Sequence, residues 1–455
     1  MISRSFLRRS FSSKVDYFPN IPSISYEGPS SNNPLSFRSY NANEMILGKP
    51  MREWCRFAIA YWHTFSNGGG DPFGGSTLSR SWNINTSKIS QVKDACHKAD
   101  AAFEFFQKLN IDYYCFHDRD LVPEGSSLQE SHDMLNDMSE YLKIKQKESG
   151  VKLLWGTANL FSHARYMNGA GSNPQVDVFL YAASQLRAAM DVTHALGGEN
   201  YVFWGGREGY SSLLNTNVKN ELDTMAAFFR MAVDYKEHIG ATFQLLIEPK
   251  PREPTKHQYD YDAMTSLAFL HHYNLQDHFK LNIEPNHTTL AGHAFDHDLT
   301  MSSIHGKLGS IDVNMGDPHV GWDTDQFLMD IPDATKLMSI VIAQGGIAPG
   351  GLNFDAKLRR ESTDIEDLFI AHIGSMDALA TGLRNVAALQ TSQSIEALLE
   401  KRYSSWKTKV GKQILEGSMS LQDCDTLALT QNEPVAESGR QELFEMIFHR
   451  NCKKL

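Results

Sequence analysis

The chain has 455 residues, 41% hydrophobic and 21% charged, the balance of a folded globular protein with room for one large barrel plus extra segments or for two or three ordinary domains. No apolar run is long enough to span a bilayer, and a net charge of −11 argues against a nucleic-acid partner while suiting a site that attracts cations. Five scattered cysteines (Cys55, Cys96, Cys115, Cys424 and Cys452), odd in number and without a CxxC pair, read as reduced thiols.

The chain opens MISRSFLRRSFSSK, with Arg4, Arg8, Arg9 and Lys14 and no acid before Asp16. An Arg- and Ser-rich, acid-poor start has the composition of a mitochondrial-type transit peptide. Residues 1–15 are therefore expected to be a targeting segment for the mitochondrion or a related organelle. The alternative is a disordered basic tail on a cytoplasmic protein. Residues 16–50 are rich in Pro, Ser and Asn and predict extended structure on the surface.

Eight short strand-like runs follow: FAIAYW (57–62), YYCFHD (113–118), KLLWGTAN (152–159), YVFWG (201–205), FQLLIE (243–248), KLNIE (280–284), GSIDV (309–313) and LNFDA (352–356). They are rich in β-branched and aromatic residues and bounded by Gly, Pro or Asn. Helical patterns lie between them, among them QVKDACHKADAAFEFFQKL and NTNVKNELDTMAAFFRMAVDYKEHI. NPQVDVFLYAASQLRAAMDVTHAL predicts a helix capped by Asn173 with Pro174 at its first position. Eight alternations predict a (β/α)8 TIM-type barrel over residues 51–388, with a doubly wound open sheet as the alternative. From residue 389 to 455 the strands stop, and the pattern predicts a C-terminal helical arm that needs a surface to cover, such as another subunit.

Four of the runs in the second half end on an acid, at Glu248, Glu284, Asp312 and Asp355, spaced 36, 28 and 43 residues apart. A strand, crossover helix and return takes roughly 30 residues or more, so the acids occupy one position in successive βα units. Barrel active sites are built at the C-terminal ends of the strands. A single acid there more often caps the next helix, but independent capping does not place four at equivalent positions. Glu284 is followed at three residues by His287, and GWDTDQF adds Asp323 and Asp325. These are hard ligands with no cysteine near, which favours Mg²⁺, Mn²⁺ or Co²⁺ over a structural zinc. So many carboxylates outweigh one ion. Two divalent ions with a shared carboxylate balance them.

FHDRD presents His117 with Asp118 and Asp120, an imidazole whose tautomer an acid can fix for proton transfer; a loop histidine beside an exposed acid is the plain alternative. Lys250 stands two residues after Glu248 and so points the same way along a strand, where it could polarise a carbonyl oxygen or simply balance the acids. Trp62, Trp155 and Trp204 near strand ends could form an aromatic rim for a sugar or ring compound, or pack in the core. HAFDH (His293, His297) is read as helix surface, since no HExxH glutamate accompanies it. GGGDPFGG and IAPGG lack the Lys-Ser/Thr of a P-loop, although the second, before strand eight, leaves a phosphorylated ligand open.

Taken together, AYWHTF, DPFGG, FHDRDLVPEG, LLWGTANLFSHARYMNGA, YVFWGGREGYSSLLNT, IEPKPREPTKHQYDYD, LNIEPNHTTLAGHAFDHDL, GSIDVNMGD, GWDTDQF and GGLNFDAK resemble a xylose isomerase of the longer, class II type, from about residue 45 into the C-terminal arm. The resemblance implies a homotetramer of (β/α) barrels acting on an aldose sugar, with two divalent ions per site. Glu248, Glu284, Asp312 and Asp355 would hold a structural ion. Glu284, His287, Asp323 and Asp325 would hold a catalytic one. His117, oriented by Asp120, would assist ring opening, and Lys250 would bind the carbonyl oxygen. Trp62, Thr157, Phe161 and Trp204 would line the sugar site, with Phe73 reaching in from a neighbouring subunit. The expected reaction is D-xylose to D-xylulose, and D-glucose to D-fructose more slowly, by a hydride shift. Pro285, Val313 and Met315 depart from the usual family residues, but no expected ligand is missing. A metal-dependent phosphoesterase would want more Arg near the motifs, and a silent sugar-binding protein would lack a ligand.

Overall fold

The computed structural model describes residues 15–83 and 91–452. Most of the N-terminal segment expected to be a targeting signal thus lies outside the described residues. Eight strands form a closed barrel: β1 Phe57–Ala60, β2 Tyr113–His117, β3 Lys152–Thr157, β4 Asn200–Trp204, β5 Gln244–Glu248, β6 Phe279–Ile283, β7 Leu308–Asp312 and β8 Leu352–Phe354. Each pairs in parallel with its neighbour in chain order, and β8 closes on β1 through Leu352–Phe57, Asn353–Ala58 and Phe354–Ile59. The open-sheet alternative is therefore excluded. The strands read as nearly continuous apolar runs because both faces of a barrel are covered, by its own interior and by helices.

The main helices that follow the strands in turn are α1 Gln91–Leu109, α2 Leu128–Ser149, α3 Val176–Ala195, α4 Val218–His238, α5 Ala263–His272, α6 His297–Ile304, α7 Ile331–Ala343 and α8 Ile365–Ser392. Several begin where the sequence supplies a cap: Ser127 accepts from the backbone of Glu130, Asn217 from Asn220, Asp262 from Thr265 and Asp330 from Asp333. α3 starts later than its sequence predicts. Asn173 accepts from the N–H of Gln175 at 2.9 Å, a turn of its own that delays the helix to Val176.

Strand ends also differ from the sequence reading. β1 stops at Ala60, and Trp62–Ser66 forms a π-type turn. Glu284 and Asp355 lie one residue beyond β6 and β8. Residues 16–50 carry little regular structure, but they are not confined to the surface. Phe18, Ile21, Ile24, Phe37 and Tyr40 are buried in the main core. Lys108 of α1 donates to the carbonyls of Phe18 and Ile21, and Asp377 of α8 accepts from the backbone N–H groups of Arg38, Ser39 and Tyr40. The C-terminal helices after Ser392 bury almost nothing and leave Leu415, Leu421 and Leu429 largely exposed. Among the described residues no helix is long and apolar enough to cross a membrane. All five cysteines are free.

Candidate active site

Side chains alternate along a strand, so an inward residue is followed by another two positions later. Ala58, Tyr113, Cys115, Leu154, Val202 and Leu246 form a small cluster apart from the main core. Leu246 is followed at two residues by Glu248, and that by Lys250. The same step leads from Asn282 to Glu284, from Ser310 to Asp312 and from Asn353 to Asp355. The four strand-end acids therefore converge above a polar layer.

Glu248, Glu284, Asp312 and Asp355 bring one carboxylate oxygen each within 4.8 Å of the others. Glu284 also groups with Asp323 and Asp325, and with Glu248 and His287, so it belongs to all three sets. It occupies the cap position of the short helix Pro285–Leu290 but makes no side-chain cap bond, which removes the capping explanation. Asn282 donates at 2.9 Å to both Glu248 and Asp312, Asn353 at 2.8 Å to Asp312, and Asn314 at 2.7 Å to Glu284. Asn286 donates to Asp323, and Gly316 is required beside it, since a Cβ there would lie 2.0 Å from the Asn286 Oδ1.

The chemistry of this donor set fits divalent cations. Burial, reinforced by Asp312 and Asp355, pushes the Glu248 carboxyl well above the ordinary range, and burial with the neighbouring acids does the same to Glu284. Burial and Asp355 push Asp312 up to about 8. Crowded, buried carboxylates of this kind are relieved by a bound cation. His287 places Nδ1 3.1 Å from the carbonyl oxygen of Pro249, and its Nε2 faces Glu284 at 3.2 Å and Asp323 at 3.3 Å. A donating Nδ1–H leaves the Nε2 lone pair facing the carboxylates, the tautomer a metal ligand needs. Asp325 is the contrast. Burial works against its charge, but Lys357 at 2.8 Å and His63 hold it well below the usual carboxylate range.

A cavity of about 190 Å³ opens over these acids and is lined by Trp62, His117, Trp155, Thr157, Phe161, Trp204 and Lys250. Trp62 meets His117 edge-on at 4.5 Å between ring centroids, Phe161 meets His117 at 5.6 Å, and Phe161 meets Trp204 at 4.4 Å. His117 Nδ1 lies 3.1 Å from Asp120 Oδ2, while Asp118 turns away to accept from Asn159 and Gln185. Lys250 is 4% exposed, 2.5 Å from Asp323 and over the Trp204 ring. Burial opposes its charge, but Asp323 and Glu284 raise its pKa above the ordinary lysine value. The Thr157 hydroxyl donates to the Val202 carbonyl at 2.6 Å, so Thr157 shapes the wall rather than offering a free donor.

Phe73 stands apart from its own chain's cavity, 84% exposed and 6.1 Å from the Trp322 ring. HAFDH is not one helical surface: α6 begins only at His297, and the His293 ring stacks on it at 4.2 Å from the preceding loop. IAPGG lies at the N-terminal end of β8, the far end of the barrel, where Arg56 and Asn200 donate to its carbonyls. Gly350 presses on Gly309 there, where a Cβ would come 1.8 Å from the Gly309 carbonyl oxygen. The loop is a packing device with no connection to the cavity. His63, Lys357, Asn282, Asn286 and Asn314 were not singled out from sequence. The Asn two residues before Glu284 and before Asp355 was the available signal.

Behind Trp204, Asp260 is buried, with Oδ1 lacking a partner, and its carbonyl accepts the Lys250 N–H at 3.0 Å. Burial pushes its carboxyl from 3.8 up to about 7. A raised carboxyl stabilises the fold fully below the unfolded value and loses that contribution as pH rises through the folded one. Asp260→Asn, which keeps the neutral shape, is therefore expected to match the parent in melting temperature at about pH 4 and exceed it at about pH 8. A difference in melting temperature that stays constant with pH would rule this out.

A parallel barrel with this acid–histidine–lysine pocket at the C-terminal ends of its strands belongs to the class of (β/α)8-barrel enzymes. Residues 399–452 match the family model described as the XylA2 C-terminal domain. The chain is 55% identical to a xylose isomerase of Arabidopsis thaliana over 95% of this chain and 90% of that one, and 52% identical to one of Hordeum vulgare over the same shares. It is 51% identical to the xylose isomerase of Thermotoga maritima over 96% of this chain and 97% of the relative. The chain belongs to the xylose isomerase family.

Proposed function

We propose that this protein interconverts D-xylose and D-xylulose at the mouth of its barrel, and D-glucose and D-fructose more slowly. The reading is carried by Glu284, buried and common to every acid group of the site, within a chain more than half identical to a named xylose isomerase. Two divalent cations serve the site, Mg²⁺ in first place and Mn²⁺ or Co²⁺ in its stead. Glu248, Glu284, Asp312 and Asp355 would hold one, and Glu284, His287, Asp323 and Asp325 the other. Bound there, the ions would supply Lewis-acid polarisation of two neighbouring sugar oxygens.

The chain's own groups do the rest. With Nδ1–H given to Asp120, His117 keeps Nε2 free to take the proton of the anomeric hydroxyl and return it to the ring oxygen, opening the sugar. The Lys250 ammonium stabilises negative charge on the carbonyl oxygen. Trp62, Phe161 and Trp204 cover the carbon faces and exclude water. Hydrogen then passes from C2 to C1 with its bonding electrons, while the C2 hydroxyl proton ends on the C1 oxygen. Asn282, Asn314, Asn353 and Lys250 donate to the acids of the site and hold them in place. The assembly that suits this site is a homotetramer in which Phe73, exposed on its own subunit, closes a neighbour's cavity.

The test is to strip the protein with chelator, add D-xylose with and without Mg²⁺ in D₂O, and follow xylulose by NMR. Metal-dependent xylulose carrying little solvent deuterium is expected. Heavy deuterium incorporation would replace the hydride transfer by an enediol route, and absence of xylulose with Mg²⁺, Mn²⁺ and Co²⁺ alike would refute the activity.

A further inference from the structure

The two acid groups share Glu284, but another side chain touches a member of each. His63 Nε2 lies 2.9 Å from Asp355 Oδ1 and 3.2 Å from Asp325 Oδ2. Asp355 belongs with Glu248, Glu284 and Asp312; Asp325 belongs with Glu284 and Asp323. We propose that His63 is a positioning residue that fixes the separation of the two carboxylate groups by sharing its Nε2–H between Asp325 and Asp355. The proposal rests on the two-ion reading of the site.

Local backbone shape makes this contact possible. In a strand, adjacent residues point to opposite faces. Beyond Ala60 the chain instead enters the π-type turn Trp62–Ser66. There the adjacent Trp62 and His63 both reach Asp355 Oδ1 at 2.9 Å. The His63 side chain is 17% exposed and lies in the wall of the cavity, so water competes little for its N–H. Asp325 is also held by Lys357, 2.8 Å from the same oxygen, and gains from His63 the tie to Asp355. It sits in a left-handed backbone conformation, φ 42°, in the loop after β7, with no strand to orient it. Asp355 is only one residue past β8. His63, projecting from the end of β1, thus ties a loop carboxylate to one held by the barrel wall. Partners that hold the carboxylate ligands of a metal commonly affect its affinity about 10–100-fold.

The experiment uses the full chain, stripped of metal and titrated with Co²⁺, read by calorimetry and by the visible absorption of the bound ion. The parent is expected to take up two ions. His63→Leu is expected to weaken uptake about 10–100-fold and to change the visible spectrum, because the Asp325 and Asp355 oxygens are no longer tied to each other. His63→Gln, whose amide N–H extends about as far as the imidazole Nε2, is expected to restore most of the affinity and the parent spectrum. A role in folding alone would lower thermal stability and leave both readouts unmoved. If His63→Leu does not fold, His63→Asn carries the same test, since its amide falls short of both oxygens. Parent affinities and spectrum in His63→Leu or His63→Asn would overturn the proposal. Uptake of fewer than two ions by the parent would instead overturn the two-ion reading, and this proposal with it.

Discussion

Glu284→Gln is expected to lose at least about 10³-fold in kcat/KM, roughly 4 kcal/mol of transition-state stabilisation, and to weaken uptake of both ions together. Gln keeps the shape and removes the charge. Glu284 is 2% exposed and is the member common to all three groups of the site. Its two oxygens have different partners, Oε1 with Asn314 at 2.7 Å and Oε2 with His287 Nε2 at 3.2 Å. A Gln that presents its oxygen to Asn314 turns its NH₂ on His287 and covers the lone pair a cation would use. One substitution thereby disables two ligands. Metal content after equilibrium dialysis, measured beside xylulose formation, decides the matter. Near-normal turnover with two tightly held ions would show that Glu284 is not shared.

Lys250→Met should lower kcat by about 10²–10³ while changing KM much less, since the ammonium acts on charge that grows in the transition state. Met matches the length and apolar stem of Lys but brings no charge. The change also frees Asp323, which Lys250 contacts at 2.5 Å. Ion uptake must therefore be measured on the same sample. With uptake preserved, the loss belongs to Lys250 itself. A kcat close to that of the parent would reduce Lys250 to a counter-charge for the acids.

The strand-end acids were legible in the sequence for a physical reason. The βα unit repeats at a length set by strand, helix and return, so Glu248, Glu284, Asp312 and Asp355 advertise a common position before any coordinates exist. Alternation along the strand then carries the same inference to Lys250. His63 was not legible, because its direction depends on a π-type turn where a strand ending was read. Asp325 was read as one of a pair, but its left-handed backbone and its bond to Lys357 belong to loop geometry that spacing does not encode. The burial of residues 16–50 was hidden by their Pro, Ser and Asn content. Phe18, Ile21, Ile24 and Phe37 are too sparse to form a periodic pattern, and become core only once α1 and α8 give them surfaces.

The bond from Trp62 to Asp355 joins positions 293 residues apart and spans the seam where the first strand meets the last. Contacts of that range carry a large loop-closure cost and form only when the intervening strands are in register. Completion of the site and closure of the cylinder are therefore the same folding event. A nicked, truncated or misregistered chain whose ends fail to meet loses the Trp62 and His63 contacts to Asp355, whatever its other strands have achieved. The contacts of Trp62 and His63 with Asp355 thus report whether the ring is closed.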